Sequence, residues 1–258
     1  MAPYHLEIYK LKKPATPLEN SNVENSNNNP TKTRITYNVN AIKPNLKRAK
    51  IAQTLIWLVM ILDIFSIISS YLQYDILRLI QNDEFVTEQA LNANDTREQI
   101  VAILYTIIFI TSTVTFIQWF RRAYYNLNIR TKTNHTDGWA AGSWFVPIIS
   151  LYRPYQIMKE MWKKTTRLIK AKDSNYLDSN TTVIGLWWTL WIVSNYVGNY
   201  VLKSIFKEQT IETLMNSTIA DMVMSILGIP LAIVTVTIIK NYSSKEEKIS
   251  SLEKQESI

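Results

Sequence analysis

The run from Ile100 to Phe120 is the feature that most limits how this chain can fold. Its twenty-one residues carry no charged side chain, and Arg121 and Arg122 follow it directly. A helix of that length rises about 30 Å, which is the thickness of the hydrocarbon core of a bilayer. Because an ordinary core helix is shorter and carries a polar face, the run predicts a transmembrane helix.

Three further apolar segments predict transmembrane helices, at about residues 51–74, 181–202 and 218–239. Together with residues 100–120 they give the predicted fold class, an all-α integral membrane bundle of four transmembrane helices. The third predicted span, at residues 181–202, includes Trp187, Trp188 and Trp191 near its start. Tryptophans in this position are typical of an aromatic belt at a membrane surface. Pro230 predicts a kink in the fourth. The polar ends of the chain explain why its mean hydropathy, −0.06, is that of a soluble protein.

The polar ends define the domain organisation. Residues 1–40 contain four prolines and an asparagine-rich stretch, and too few apolar residues to offset the entropy of ordering, so they predict a disordered cytoplasmic tail. Residues 41–240 form the predicted membrane domain, and residues 241–258 a charged cytoplasmic tail. The chain has no cysteine, which excludes disulfides and thiolate sites.

The positions of the basic residues predict the orientation. The connection at residues 121–180 holds eleven lysines and arginines, whereas residues 75–99 hold two against six acidic residues, and residues 203–217 hold two. Because basic loops stay in the cytoplasm, both termini and the central loop are expected there. This topology accounts for the net charge of +7, and we expect no nucleic-acid binding.

The central loop begins with an apolar stretch that is too short to span. Gly138 to Tyr152 is uncharged, but a helix of that length rises only about 22 Å. Pro147 would interrupt it, and the glycines allow turns or close approach to another backbone. Since lipid offers no partner to backbone polar groups, the stretch is either re-entrant among the spans or interfacial.

The second part of the loop predicts an amphipathic helix at about residues 154–172, which Pro154 is well placed to begin. We expect this helix to lie in the headgroup plane of the inner leaflet, with its apolar face toward the lipid. On that face it carries Met158, Met161, Trp162, Thr165, Leu168 and Ile169. Its basic residues, expected to face anionic headgroups of the inner leaflet, are Lys159, Lys163, Lys164 and Arg167. Glu160 is expected to pair with Lys163 or Lys164. Membrane lipids are therefore the predicted partners, and a homo-oligomer or a protein partner is a further expectation.

Four short motifs carry a family resemblance: Gln118–Asn126, Gly138–Pro147, Leu151–Tyr155 and Glu160–Trp162. They resemble the bacterial domain-of-unknown-function 4328 family, multi-pass membrane proteins with the pattern W-F-x-P-x-x-x-L-x-x-P-Y. The resemblance spans about residues 45–240 and implies a bacterial integral membrane protein, but no activity. The loop residues that carry it are Trp139, Gly142, Trp144, Phe145, Pro147, Arg153, Pro154, Tyr155, Glu160 and Trp162.

Asp63 is the strongest single candidate for a functional residue within the predicted spans. It lies near the middle of the first predicted span, where an ionised carboxylate costs at least a few kcal/mol, so it should face the bundle interior. Asn195 and Asn199 share one face of the third span and are candidate partners for Asp63. Either a proton or cation site or a purely structural polar contact would explain it. Asp221, near the outer end of the fourth span, is a weaker candidate.

Three classes of function remain open. The first is a membrane scaffold or interaction protein, the second is a small transporter or channel that uses Asp63, and the third is a membrane enzyme or lipid-modifying factor. No catalytic motif supports an enzyme. Neither His5 nor His135 has a second ligand at a suitable spacing, so we expect no metal and no cofactor.

Overall fold

The computed structural model describes residues 39–177, 181–204, 206, 208 and 210–256, and this part of the chain is helical, without strands. The predicted all-α class is confirmed for it. The predicted tail at residues 1–40 lies almost entirely outside the described residues. The six α-helices are α1 Leu46–Gln81, α2 Glu88–Arg130, α3 Asp137–Gly142, α4 Arg153–Lys172, α5 Thr182–Ser204 and α6 Ile211–Gln255, and short 3-10 turns cover Val39–Ala41 and Ile149–Leu151.

Three of these helices, α1, α2 and α6, are long and apolar enough to cross a membrane. They contain the predicted spans at 51–74, 100–120 and 218–239, and each extends well beyond them. α5 covers the remaining predicted span but is not among the three. Its tryptophans, tyrosines and two asparagines lower the hydropathy of its most apolar stretch below that of the other three helices. α6 continues through Pro230 without interruption.

α1 and α6 pack along each other in antiparallel directions and in constant register. Asn45 Nδ2 donates to Glu246 Oε2 at 3.2 Å, the Asp63 carboxyl packs against Gly228, and Gln73 Nε2 donates to Thr218 Oγ1 at 3.2 Å. The steps of 18 and 10 residues along α1 equal the steps back along α6. This even pairing is the geometry of a coiled-coil interface with a repeat of seven residues.

α6 is the central helix, since it packs on α1, α4 and α5. Where it leaves the apolar region it does not become a free tail. Residues 241–255, predicted to be a charged tail, continue α6 as helix, and Tyr242, Glu246 and Ile249 are buried against the other helices. The sequence prediction did not include this packing, because local charge does not reveal that every third or fourth position here faces the protein interior.

The bundle has two ends. The loop end comprises residues 119–177 and 240–256, in which the C-terminal parts of α2 and α6 meet α3 and α4. The hairpin end comprises residues 82–99 and 210–221, around the connection between α1 and α2 and the start of α6. Thr87 and Thr210 cap the helices that begin there: Oγ1 of each accepts a backbone N–H three residues later, at 3.2 Å in both helices.

α4 runs alongside the end of α6 in the same direction. Thr165 and Tyr242 are in hydrogen-bond contact at 3.1 Å, and further along Lys172 pairs with Glu256. The apolar face of α4 is thereby covered by protein, with Met158, Met161 and Ile169 fully buried. The prediction that this face lies in the lipid headgroups is therefore corrected. The helical period shows that one face avoids water, but not whether lipid or protein covers it.

Candidate functional site

Glu160 lies at the centre of a hydrogen-bond network at the loop end. The hydroxyl of Tyr124 donates to Oε2 at 2.8 Å, while the backbone N–H of Asn134 and the Lys164 ammonium reach Oε1 at 2.8 and 2.6 Å. Burial acts to raise the pKa of Glu160, but these hydrogen bonds outweigh it and hold the pKa below its ordinary value. Of the two predicted partners, Lys164 is the one that pairs. The network joins α2, the loop and α4.

His135 and Arg153 extend this network toward the surface. The backbone N–H of His135 donates to the Tyr124 hydroxyl at 3.1 Å, and an Arg153 nitrogen approaches the His135 ring within 2.9 Å. Burial and the neighbouring Arg153 charge lower the pKa of His135, so the imidazole accepts from the guanidinium. Arg153 also lies over the rings of Trp139 and Tyr152, at 5.7 and 5.5 Å.

Trp144 is the centre of an aromatic cluster between the loop and the spans. Its ring meets five others edge-on, with centroids 5.7 to 6.3 Å apart, and these rings belong to Phe116, Phe120, Trp187, Trp188 and Trp191. Trp187 is buried in the core. The tryptophans of α5 that were predicted to form an interfacial belt thus pack on the loop.

Trp162 and Lys245 form a buried pair that the sequence reading missed. The Lys245 ammonium lies 4.9 Å from the Trp162 ring and 5.2 Å from that of Tyr176, and it donates to Thr166 Oγ1 at 2.8 Å. Burying an ammonium is tolerated only with such partners. Lys245 belongs to the segment that the sequence predicted to be a charged tail, and its side chain forms a buried contact between α6 and α4.

The loop motifs therefore join α2, α5 and α6 to one another. A family model described as a domain of unknown function, DUF4328, matches residues 82–244. The chain belongs to the DUF4328 family. The matched range includes the Glu160 network and Trp144, but α1 with Asp63 precedes it. No curated protein and no solved structure matches the chain.

Some residues of the DUF4328 loop motif point outward. Phe145 and Ile148 are each 75% exposed, and Pro147 is exposed too, in the turn before α4. This turn adjoins the start of α5, because Trp188 Nε1 donates to the Leu151 carbonyl at 3.1 Å. A side-chain carbon at Gly142 would meet nothing within 4 Å. Of the two roles expected for Gly142, a turn or a close approach to another backbone, the close approach is therefore not observed.

The remaining motif residues hold the start of α4. Pro154 is buried in its first turn, and the Tyr155 ring stacks on Trp188 at 6.1 Å. The four basic residues predicted to face lipid divide into two pairs. Lys159 lies over the Tyr155 ring and Lys164 pairs with Glu160, whereas Lys163 and Arg167 are exposed.

Asp63 is buried, with 1% of its surface exposed, but it does not meet Asn195 or Asn199. Those two side chains are exposed and donate to carbonyls of their own helix, at Trp191 and Asn195. The predicted contact fails because α6 lies between α1 and α5, so that Asp63 faces Gly228. Neither carboxyl oxygen has a hydrogen-bond partner among the described residues.

Two neighbours complete the surroundings of the intramembrane acids. The phenol of Tyr105 interacts with Asp63, though not in regular hydrogen-bond geometry. Asp221 is half-buried near the hairpin end, where it is close enough to Glu98 for the two carboxylates to repel. Asp221 and Asp63 therefore lie on the same α1–α6 interface, about two turns of α6 apart.

Glu246 is a second buried acid, and the sequence reading did not include it. Asn126 and Asn45 donate amide hydrogens to its two oxygens, and Asn126 also binds both backbone polar groups of Lys43. Burial raises the pKa of Glu246. The seven-residue repeat along α6, which places residues 232, 235, 239, 242 and 246 on one face, was the signal that could have found it.

The polar groups at the loop end serve to hold the helices and the loop together. The side chains of Glu160 and Tyr124 form hydrogen bonds with each other and with backbone N–H groups of the loop. In the part of the chain that the structure describes, no three histidine or acidic side chains come close enough to hold a metal ion.

Proposed function

We propose that this chain is a four-span protein of a bacterial inner membrane that acts as a membrane scaffold or interaction protein. One observation carries the proposal: Glu160, Trp144 and Trp162, the central residues of the DUF4328 loop motif, are engaged with other parts of the same chain. Residues that pack in this way build a rigid head at the loop end. They do not leave an open reaction centre.

The course of the chain supports four spans. α2 leads to the loop end, where Tyr124 and Asn126 lie, and α6 starts at the hairpin end, where Thr218 meets Gln73. The chain must therefore return between them, and α5 is the described helix that makes this return. It packs on α6 with Met224 3.2 Å from a side-chain carbon built on Gly198.

The charge distribution supports an orientation with the loop end and both termini in the cytoplasm. The loop end carries the eleven basic residues of positions 121–180, while the α1–α2 connection is acidic. In this orientation the exposed turn at Phe145 and Ile148, beside the start of α5, would meet lipids of the inner leaflet. Arg153 and Lys159 would lie near anionic headgroups.

The exposed basic face of α4 is the proposed contact surface. Lys163 and Arg167 are one turn apart and exposed, on a helix that runs away from the bilayer along the end of α6. Because the helix itself is fixed by its buried face, these side chains have a constant position relative to the membrane. A protein partner with an acidic surface fits this arrangement best.

Cross-linking in living cells tests the scaffold role. A photoreactive residue at position 163 should give a protein adduct of one size, and the same residue at position 84, exposed at the hairpin end, should not. Arg167→Glu should remove the adduct without lowering the amount of protein in the membrane. Equal adducts from both positions, or none from position 163, would contradict the role.

A transporter is the second candidate. The observation that favours it is the buried carboxyl of Asp63, which accepts no hydrogen bond of regular geometry from the described residues. Purified protein in liposomes distinguishes the two. Proton flux that is abolished by Asp63→Asn but kept in Asp221→Asn would favour transport. Absence of flux, together with altered thermal stability in Asp63→Asn, would favour a structural role for the acid.

A further inference from the structure

The interface between α1 and α6 changes character along its length. In the register fixed by the Asp63–Gly228 and Gln73–Thr218 contacts, Ser66 is opposite Ser225 and Ser70 is opposite Asp221. The four interface positions of α1 from Asp63 to Gln73 are thus polar and face polar residues or glycine on α6, whereas the next pair toward the α1–α2 connection, Leu77 and Leu214, is apolar. We call this set, Asp63, Ser66, Ser70 and Gln73 of α1 with the four facing residues of α6, the polar seam.

The other half of the same interface is apolar. Toward the loop end, Ala52 is opposite Ile239 and Ala49 is opposite Tyr242, and all four side chains are buried. Thr235, opposite Ile56, uses its hydroxyl on the Leu231 carbonyl at 2.6 Å. The polar seam therefore leads inward from the hairpin end, and it stops at Asp63.

The surroundings of Asp63 indicate which ligand its carboxyl can bind. Its carboxyl carbon would lie 2.7 Å from a side-chain carbon at residue 228, so the helices are in close contact and no space is left at the carboxyl for a metal ion with its ligands. The Tyr105 phenol interacts with the carboxyl, but neither oxygen accepts a hydrogen bond of regular geometry from the described residues. A proton is the ligand that fits, because it needs no volume and removes the cost of a buried charge.

The polar seam ends near Asp221 in a group of acidic side chains that hydrogen bonds hold in place. Glu98 of α2 lies near Asp221 and accepts from the Ser69 hydroxyl at 2.6 Å. Arg97 donates hydrogen bonds to Ser69 and Asn94, and the bond to Ser69 holds the start of α2 against α1. Arg97, Glu98 and Tyr105 of α2 and Asp221 of α6 are the charged and titratable groups around the path. Two neighbouring carboxylates raise the local concentration of protons at its entrance.

We propose that the polar seam is a one-sided proton path that connects the hairpin end to a proton-binding site at Asp63. The proton passes along the serine hydroxyls and the water between them, and it converts the Asp63 carboxylate to the neutral acid. The inference requires that α1 and α6 span a membrane, but it does not depend on the scaffold role.

The natural absence of cysteine permits a direct test in the full-length protein. Single variants Ser66→Cys and Ser70→Cys in proteoliposomes are exposed to silver ion from the side on which Gln89→Cys reacts. Because only a hydrated thiol ionises and reacts, both seam variants should react at least about ten-fold faster than Ala52→Cys in the apolar half. Ile68→Cys, at similar depth on the exposed face of α1, is the matched control and should be as slow as Ala52→Cys.

Infrared spectroscopy supplies the second measurement. A band from a protonated carboxyl should respond to the pH on the hairpin side alone, and should be missing in Asp63→Asn but present in Asp221→Asn. If Ser66→Cys does not fold, Gln73→Cys takes its place. Seam cysteines as slow as Ala52→Cys, or a band that responds to the pH at the loop end, would overturn the proposal, and neither outcome affects the cross-linking at position 163.

Discussion

The carboxyl of Asp63 occupies the space that a side chain at residue 228 would need. A carbon built on Gly228 would lie 2.7 Å from the Asp63 Cγ and 3.0 Å from Oδ1. Glycine therefore stands at position 228 because α1 brings an acid against α6 at that level. The contact also fixes the register between the two helices, which continues to Asn45 and Glu246 at the loop end.

Gly228→Ala should therefore destabilise the protein, by about 1–3 kcal/mol, because the new methyl group overlaps the carboxyl. The double variant Asp63→Ala/Gly228→Ala should be more stable than the sum of the single effects predicts, since alanine at residue 63 frees the space. Thermal unfolding in detergent measures this coupling. Gly142→Ala, where the methyl group meets nothing within 4 Å, is the control. Additive effects at residues 63 and 228 would refute the contact.

Glu160→Ala should lower stability by about 1–3 kcal/mol, because Tyr124 and the Asn134 N–H lose a buried acceptor. Tyr124→Phe removes one donor and should cost less, about 1 kcal/mol. Glu84→Ala, at an exposed position, is the matched control and should change stability little. If Glu160→Ala unfolds at the same temperature as Glu84→Ala, the network does not hold the loop.

Two buried glutamates of the loop end, Glu160 and Glu246, should respond to pH in opposite directions. The folded-state pKa of Glu160 is lowered, so its contribution to stability is present above the ordinary pKa of glutamate, 4.5, and is lost as the pH falls through the folded value. The pKa of Glu246 is raised, so its protonation favours folding, and stability falls as the pH rises from 4.5 through the folded value.

Glu246→Gln should therefore make the protein more stable at neutral pH. The variant no longer buries a carboxylate, and its amide can donate to Asn45 Oδ1, which has no hydrogen-bond partner among the described residues. This hydrogen bond replaces the one that Asn45 Nδ2 donates to Glu246 Oε2, so the gain in stability comes from removing the buried charge. Melting curves between pH 4 and 8 should lose the decline with rising pH that the parent shows. A variant less stable than the parent at neutral pH would refute this reading.

Trp144→Ala should cost about 3 kcal/mol, because the ring contacts five other aromatic rings between the loop and the spans. Trp139→Ala is the matched control. Its ring is 40% exposed and mainly contacts Arg153, so that its removal should cost about 1 kcal/mol or less. Thermal unfolding followed by tryptophan fluorescence compares the two, and equal losses would argue against Trp144 as the centre of the cluster.

Hydropathy and helical period predicted five of the six described α-helices, but neither α3 nor the continuation of α6 to Gln255. The uncharged run at residues 100–120 lies within α2, and the period of residues 154–172 corresponds to α4, Arg153–Lys172. The same signals did not predict what covers each face. The apolar face of α4 packs on protein, and Asn195 turns away from Asp63. Hydropathy records which surfaces avoid water, and both lipid and protein satisfy that requirement.

The candidate site was predictable in its members but less so in their arrangement. Glu160, Trp144 and Trp162 were all selected from the loop, whereas Tyr124, Lys245 and Glu246 were not. These three come from the ends of α2 and α6, and they meet the loop only because both helices continue past the apolar region. Contacts between segments more than 30 residues apart leave no local pattern in one sequence.

The orientation of the loop end is the central claim, because the scaffold role requires it to face the cytoplasm. Its direct test is labelling of single-cysteine variants with a membrane-impermeant maleimide in right-side-out vesicles. We predict that Gln89→Cys at the hairpin end is labelled and that Arg167→Cys on α4 is labelled only after the membrane is permeabilised. Labelling of Arg167→Cys in intact vesicles, with Gln89→Cys protected, would contradict the account.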